Sequence, residues 1–214
     1  MKIGILGSGT VAQTLGAGFI KHGHEVMLGS RAPAKLAEWQ AANPRGRVGS
    51  FAEAADFAEL AVLAVKGTVA AAALKSAGPQ RLAGKAVIDA TNPIADAAPV
   101  QGVLQFFTGP NDSLLEQLQR EFPAIRFVKA FNSVGSAFMI DPAMQDGPPT
   151  MFICGDDEPA RQAVRAIVES VGWGVADMGA AVAARAIEPL CMLWCIPGLL
   201  RGEWAHAFRL VKPA

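Results

Sequence analysis

The sequence predicts a doubly wound, mostly parallel α/β sheet with a short C-terminal helical extension, and three observations predict it. Short, continuous apolar runs bounded by turn residues recur along the chain, as strands buried on both faces require. Segments with apolar residues three and four apart separate those runs, so strands alternate with helices. A glycine-rich turn, Gly7-Ser8-Gly9, joins the first strand to the first helix. The carboxyl ends of the strands are where an open parallel sheet binds its ligand.

The elements follow in order. "KIGILG" is a buried strand, and Val11, Leu15 and Phe19 then recur every four residues up to a glycine stop at Gly23. "EVMLGS" is the second strand, and residues 33–42 form the second helix. "GRVGS" is a weak third strand followed by a short helix over 51–58. "LAVLAV" is the fourth strand, with an alanine-rich helix over 68–76, and "KAVIDAT" is the fifth. Residues 95–110 show little pattern; they read as a loop, either a surface excursion or a cover for a bound acceptor. "SLLEQLQREF" is a helix, "RFVKAFN" and "TMFICGD" are strands, and "EPARQAVRAIVESVG" is an amphipathic helix. The block 180–202 is helical, with Ile187, Leu190 and Trp194 on one stripe and a break at Pro197. The chain thus divides into a nucleotide-type domain over 1–179 and a small helical segment over 180–214.

Composition narrows the function. Hydrophobic residues make up 51% of the chain and charged ones 18%, which fits a buried globular core. Lys and Arg balance Asp and Glu at 19 each, and no basic block occurs, so neither nucleic acid nor an anionic membrane is the expected partner. The three cysteines, Cys154, Cys191 and Cys195, are an odd, sparse set that suits a reducing, cytoplasmic setting. They lack the companions of a metal site. The first residues lack the charged leader and cleavage site of a signal peptide. The most apolar stretch carries Arg185, Glu188, Pro189 and Pro197, which disfavour a membrane span.

The glycine-rich turn reads Gly7-Ser8-Gly9-Thr10-Val11-Ala12, the G-x-G-x-x-A form of the dinucleotide fingerprint, with the expected strand before it and helix after it. Gly7 permits the tight turn, Gly9 lets a pyrophosphate approach the backbone, and Ala12 lets helix and strand pack closely. The helix start offers free N–H groups and partial positive charge to phosphates. The alternative is a tight turn with no ligand. A Rossmann-type sheet with this turn usually places an Asp or Glu at the end of its second strand, against the ribose 2′-hydroxyl. Here the chain reads Gly29-Ser30-Arg31, with Lys35 one turn on. Ser30, Arg31 and Lys35 can donate to a 2′-phosphate, so the site favours NADP(H) over NAD; a solvated Arg at a helix start is the alternative. Ala64, Val65 and Lys66 end the fourth strand, Asn92 and Pro93 follow the fifth, and Ala130 and Asn132 end the sixth. These groups are placed to line a nicotinamide, with Asn92 and Asn132 able to bond a carboxamide or ribose. No catalytic pair stands out: His22 and His24 end the first helix and His206 lies in the tail. Hydride transfer needs stacking and exclusion of water more than an acid or base, so no catalytic residue is assigned.

These segments resemble the F420-dependent NADP oxidoreductase family over nearly the whole chain. The likeness lies in "GSGTVAQTLGAGFIKHGHEVMLGSR", "AVLAV", "ICGDDEPARQAVRAIVESVG" and "ARAIEPL". "VKAFNSVGSAFM" is similar to the cytoplasmic reductase domain of six-transmembrane ferric reductases. The resemblance implies an NADP(H)-dependent oxidoreductase that exchanges a hydride with a small-molecule acceptor, coenzyme F420, FMN or FAD. It also implies a homodimer paired through the C-terminal parts. Members that use the deazaflavin often carry His where this chain has Asn132. Alternatives are a non-enzymatic NADPH sensor, a reductase of quinone or ferric iron, and an imine, pyrroline-carboxylate or hydroxy-acid dehydrogenase. The last group needs a long helical C-terminal domain, and only about 35 residues follow the sheet here.

Overall fold

In the computed structural model, six apolar runs pair as one parallel sheet. They are β1 (Lys2–Leu6), β2 (Glu25–Gly29), β3 (Arg47–Gly49), β4 (Leu60–Leu63), β5 (Ala86–Asp89) and β6 (Arg126–Lys129). Their order is β3-β2-β1-β4-β5-β6. The structure describes every residue except 146, 212 and 214. The strand order reverses between β1 and β4, which opens a crevice at their carboxyl ends. Leu6 pairs with Gly29 on one side and Leu63 on the other, so three strand ends meet at one level.

Side chains alternate across the sheet as a pleat requires. Ile3, Ile5, Leu60 and Val62 enter the core under α1 (Thr10–Lys21) and α6 (Glu158–Ser170), with Leu15, Phe19, Ile167 and Val171. Leu6, Ala61, Leu63 and Val87 face the other layer, built on α3 (Phe51–Phe57), α4 (Ala70–Ala77) and α5 (Leu114–Glu121). The helix α2 (Ala37–Ala42) follows a 3-10 turn over Pro33–Leu36 and seats Trp39 against the first core. Burying a side chain such as Phe19 contributes about 1.5–3 kcal/mol.

Four features differ from the sequence-based expectation. First, β7 (Thr150–Ile153) pairs in parallel with a further strand, β8 (Gly174–Asp177), that its half-buried "GVAD" residues do not announce. The pair meets the main sheet where Lys129 N–H donates to the Cys154 carbonyl at 2.9 Å. Second, residues 94–106 fold as a hairpin, with bridges at Ile94–Phe106 and Val100–Val103. Its turn residues Gln101 and Gly102 both have positive φ, 49° and 81°, as a two-residue type I′ turn requires. A Cβ added at Gly102 would stand 2.6 Å from the Leu200 side chain, so the hairpin tip rests on the C-terminal helix.

Third, that helix, α7 (Ala184–Arg201), does not break at Pro197 but runs through both prolines to a left-handed cap at Gly202. Pro197 removes one helical N–H donor. The tail folds back over this turn: Trp194 Nε1–H donates to the His206 carbonyl at 2.8 Å, and Trp204 lies so close over Gly198 that a Cβ there would clash. Fourth, the expected stripe is only partly continuous: Ile187 and Trp194 are buried and Leu190 is half-buried, while Leu193, Leu199 and Leu200 stay exposed. By length and composition the helical stretch Ala181–Arg201, which contains α7, is apolar enough to cross a membrane, with a mean hydropathy of 1.4 over its most apolar 18 residues. It is nonetheless docked on the α/β domain by charged side chains. The Arg185 guanidinium holds Glu116 at 2.7 Å, and Glu188 enters a buried ion cluster.

Candidate functional site

The crevice at the switch point is a cleft of about 630 Å³. Gly7, Ser8, Gly9, Thr10 and Val11 line it from the first turn, Ser30, Arg31 and Lys35 from the end of β2, and Ala64, Val65 and Lys66 from the end of β4. Phe51 and Ala90 also line it, and the sequence reading did not name them.

The two glycines are glycine for different reasons. Gly7 N–H donates to the Gly29 carbonyl at 3.1 Å, and an added Cβ would stand 2.2 Å from the Ala64 carbonyl oxygen. Packing alone therefore excludes a side chain there. Gly9 caps α1 with φ −79° and ψ −179°, a conformation open to any residue, and a Cβ there would meet nothing within 4 Å. Neither backbone nor packing requires glycine at position 9. The open space beside it leads to the start of α1. The first turn of α1 carries no acidic residue and its cap has no side-chain hydrogen bond, so its partial positive charge faces the cleft uncompensated.

At the far end, Ser30 is buried and its Oγ accepts from Ala32 N–H at 3.1 Å, which fixes the turn that presents Arg31. Arg31 and Lys35 are exposed, and among the described residues neither side chain has a hydrogen-bond or ion-pair partner. Two unpaired cations at the end of β2 suit a phosphate and not a bare ribose. Lys66 pairs with Asp96 of the hairpin at 2.6 Å.

Asn92, Pro93, Ala130 and Asn132 lie beyond the residues that line the cleft. Ala130 and Asn132 are buried. Asn92 Nδ2 donates to the Asn132 carbonyl at 2.7 Å, while Asn132 Nδ2 donates to Asn92 Oδ1 at 3.2 Å and to the Ile187 carbonyl of α7 at 3.0 Å. Both amides thus clamp the ends of β5 and β6 to α7. Between Ala130 and Asn132, Phe131 holds φ at 60°, a strained value for a bulky residue.

Beside this clamp lies a buried ion cluster that the sequence reading missed. Lys129, with no exposed side-chain surface, sits 2.7 Å from Asp89 and 2.8 Å from Glu188, and donates to the Thr91 carbonyl at 2.9 Å. Asp89 Oδ1 accepts from the Thr91 N–H and hydroxyl, and Glu188 accepts from the Leu114 and Leu115 N–H groups that open α5. Burial alone would lower the Lys129 pKa, but the two carboxylates outweigh it and the net shift is upward, so the ammonium stays charged. The available signal was a charged residue inside each of two apolar runs, "FVKAF" and "AIEPLC".

The cysteines are all free thiols. Burial pushes Cys154 up to about 12. A hydrogen bond with Cys195, then burial, raises Cys191. Neither is a ready nucleophile. Among the described residues no group of three or more His, Cys, Asp or Glu could hold a metal ion.

Comparison with known proteins agrees with this geometry. Residues 2–93 match the family described as NADP oxidoreductase, coenzyme F420-dependent. The structure of a candidate F420-dependent NADP reductase from Arthrobacter sp. FB24 is 34% identical, superposes with a TM-score of 0.92, and is matched over 99% of this chain and 100% of that one. The metalloreductase STEAP3 of Rattus norvegicus is 34% identical over 93% of this chain, which spans only 39% of that longer protein. An imine reductase of Streptomyces aurantiacus shares the fold alone, at 17% identity and a TM-score of 0.69 over 94% of this chain and 63% of that one. A cleft at the switch point of a sheet of this order defines a Rossmann-type α/β fold. Within that class, the chain belongs to the family of F420-dependent NADP oxidoreductases. The residues present fit the NADP(H) which that family implies: free space at Gly9, an uncompensated helix start and two unpaired cations beyond β2.

Proposed function

We propose that this protein is an NADPH-dependent reductase that passes a hydride to a flavin or deazaflavin acceptor, FMN, FAD or coenzyme F420. The observation that carries the nucleotide half of this reading is the pairing of Gly9, open toward the cleft, with the unpartnered Arg31 and Lys35 at its other end. When bound, NADPH supplies the hydride. The chain's part is to bind and orient. The start of α1 takes the pyrophosphate, and Ser30, Arg31 and Lys35 take the 2′-phosphate. Ala64, Val65 and Ala90 give the cleft an apolar floor against which a nicotinamide ring can pack.

The name of the STEAP3 relative supports a second arm, reduction of a metal ion such as ferric iron. The exposed Leu193, Leu199, Leu200 and Trp204, next to Val100 and Val103 on the hairpin that rests on Leu200, support a homodimer built on this face. Oxidation of NADPH followed at 340 nm against F420, FMN, FAD, a quinone and a ferric chelate tests the reading. Turnover with a flavin or the deazaflavin supports it. Turnover with ferric chelate or quinone alone moves the acceptor to that arm. NADPH binding without oxidation by any acceptor makes the protein a sensor.

A further inference from the structure

Helix α7 carries three sulfur side chains within one short stretch, Cys191, Met192 and Cys195 in "CMLWC". None of them lines the dinucleotide cleft, and none has a part in the hydride transfer proposed above. The helix is continuous from Ala184 to Arg201, so residues three and four apart are neighbours on its surface. Cys195 therefore stands one turn beyond both Cys191 and Met192 and lies between them around the helix. The two thiols share a hydrogen bond. Cys191 is 6% exposed and forms the inner side of the group, while Cys195 and Met192 are half-buried. Met192 also borders a cavity of about 200 Å³ between α7 and the segment that leads into α5, so its flexible side chain has room to turn.

Spacing decides what this pair of thiols can do. The Cβ atoms of residues four apart on an α-helix are about 5–6 Å from each other, whereas a disulfide needs roughly 3.5–4.5 Å. Joining Cys191 to Cys195 would therefore unwind a turn of α7. One metal ion between the sulfurs asks for no such change. A metal–thiolate bond of roughly 2.3 Å on each side spaces the sulfurs at up to about 4.6 Å, which side-chain rotation reaches from an undistorted helix. The ligand set then selects the metal. Structural zinc takes four ligands, and among the described residues no third His, Cys, Asp or Glu joins the pair. Calcium and magnesium need oxygen ligands in greater number. Two thiolates and a thioether in linear or trigonal coordination suit a soft ion, and among biological metals that ion is Cu(I).

We propose that Cys191 and Cys195 hold one Cu(I) ion as a bis-thiolate, with the Met192 thioether as a third, weaker ligand. The half-buried Cys195 is the point of entry and the buried Cys191 the inner ligand. Binding releases the two thiol protons to solvent, and the copper remains Cu(I), so no electron moves. The lack of further Cys or His companions excludes zinc and not a site of two or three sulfurs. The site stands apart from the nucleotide cleft and does not depend on which acceptor the protein reduces.

The test uses the intact chain, reduced and kept free of oxygen, with Cu(I) supplied as its complex with the colorimetric chelator bicinchoninate. Copper retained after desalting is counted per chain, and affinity is read from competition with the chelator. The expected result is one Cu(I) per chain. Cys191→Ala and Cys195→Ala should each weaken binding by at least ~100-fold, since losing a ligand costs more than the roughly 10- to 100-fold of an outer-shell change. Met192→Leu should weaken it less, and Cys154→Ala should leave it unchanged. A second measurement needs no variant. Wild-type protein with and without Cu(I) is alkylated with iodoacetamide and digested with trypsin. Copper should shield the peptide 186–201, which holds Cys191 and Cys195, and leave the labelling of the peptide 130–161, which holds Cys154, unchanged. Copper surrendered wholly to the chelator overturns the proposal. So does copper retained equally by the Cys191→Ala, Cys195→Ala double variant, or retained without shielding of 186–201, since either places the ion elsewhere. A Cys191–Cys195 disulfide that forms in air with helix content unchanged also overturns it, because the thiols would then be close enough to join without a metal.

Discussion

Replacing Gly9 by valine separates ligand from fold. The backbone there is extended, at φ −79° and ψ −179°, and a new Cβ meets nothing within 4 Å. Replacing glycine at a compatible conformation stabilises by about 0.4–1 kcal/mol through the unfolded chain, while loss of a favourable cap residue costs a similar amount. The net change in stability is therefore within about 1 kcal/mol. Binding is different. Valine methyls would occupy the approach to the free N–H groups of α1. A hydrogen bond to a charged phosphate is worth about 1.5–3 kcal/mol, and losing two removes about 3–6 kcal/mol, more than about 100-fold in Kd. Gly7→Ala is the control, since its Cβ would stand 2.2 Å from the Ala64 carbonyl oxygen and must displace backbone. The expected pattern is a Gly9→Val protein that melts like wild type but does not bind NADPH, beside a Gly7→Ala protein that loses stability. The assays are a thermal melt and an NADPH fluorescence titration. Wild-type NADPH affinity in Gly9→Val would refute the placement of the phosphates on this turn.

Three further outcomes follow from the same geometry. Arg31→Ala should cost about 1.5–3 kcal/mol of NADPH affinity and leave NADH nearly unchanged; equal losses by titration would remove Arg31 from the 2′-phosphate. The Arg185 guanidinium, against the opposing effect of burial, holds the Glu116 carboxyl at about 2 instead of its ordinary 4.5. A lowered carboxyl pKa stabilises the fold above pH 4.5, and that contribution disappears as pH falls from 4.5 toward 2. With Arg185 about a third exposed the effect is about 1–2 kcal/mol, read as a steeper acid loss in urea unfolding of wild type than of Glu116→Gln; identical acid profiles would contradict it. Finally, Leu193→Glu with Leu200→Glu should turn a dimer into a monomer in sedimentation without lowering the melting point, because both side chains are exposed on the single chain. A dimer that survives both changes would place the interface elsewhere.

The parts of this protein that were legible in the sequence are those with local causes. The turn from β1 into α1 depends on residues within one stretch, and the carboxylate missing at the end of β2 is visible as Ser30 and Arg31. The buried strands follow from continuous apolar runs. The hairpin over 94–106 had a signal in Gln101-Gly102 between two valines, but its flanks are too weakly patterned to pair by eye. Strand β8 is short and half-buried on every residue, so it lacks both a continuous run and an alternation. The tail that folds back over α7 near Pro197 is a tertiary contact that no local pattern announces. The cluster of Asp89, Lys129 and Glu188 joins residues far apart in the chain, and no spacing rule connects them. The same holds for the clamp that uses the amides of Asn92 and Asn132: local reading finds two asparagines at strand ends, and only the fold shows that they face each other and α7.

Whether the cleft selects for the 2′-phosphate is decided by parallel titrations of wild-type protein with NADPH and NADH. With Arg31 and Lys35 unpaired at the end of β2 and no acidic side chain lining the cleft, NADPH should bind at least about tenfold tighter, the factor for about 1.4 kcal/mol. Raising the salt concentration should narrow the gap, because both cations are exposed. Equal affinity for the two cofactors, tighter binding of NADH, or binding of neither would contradict the claim.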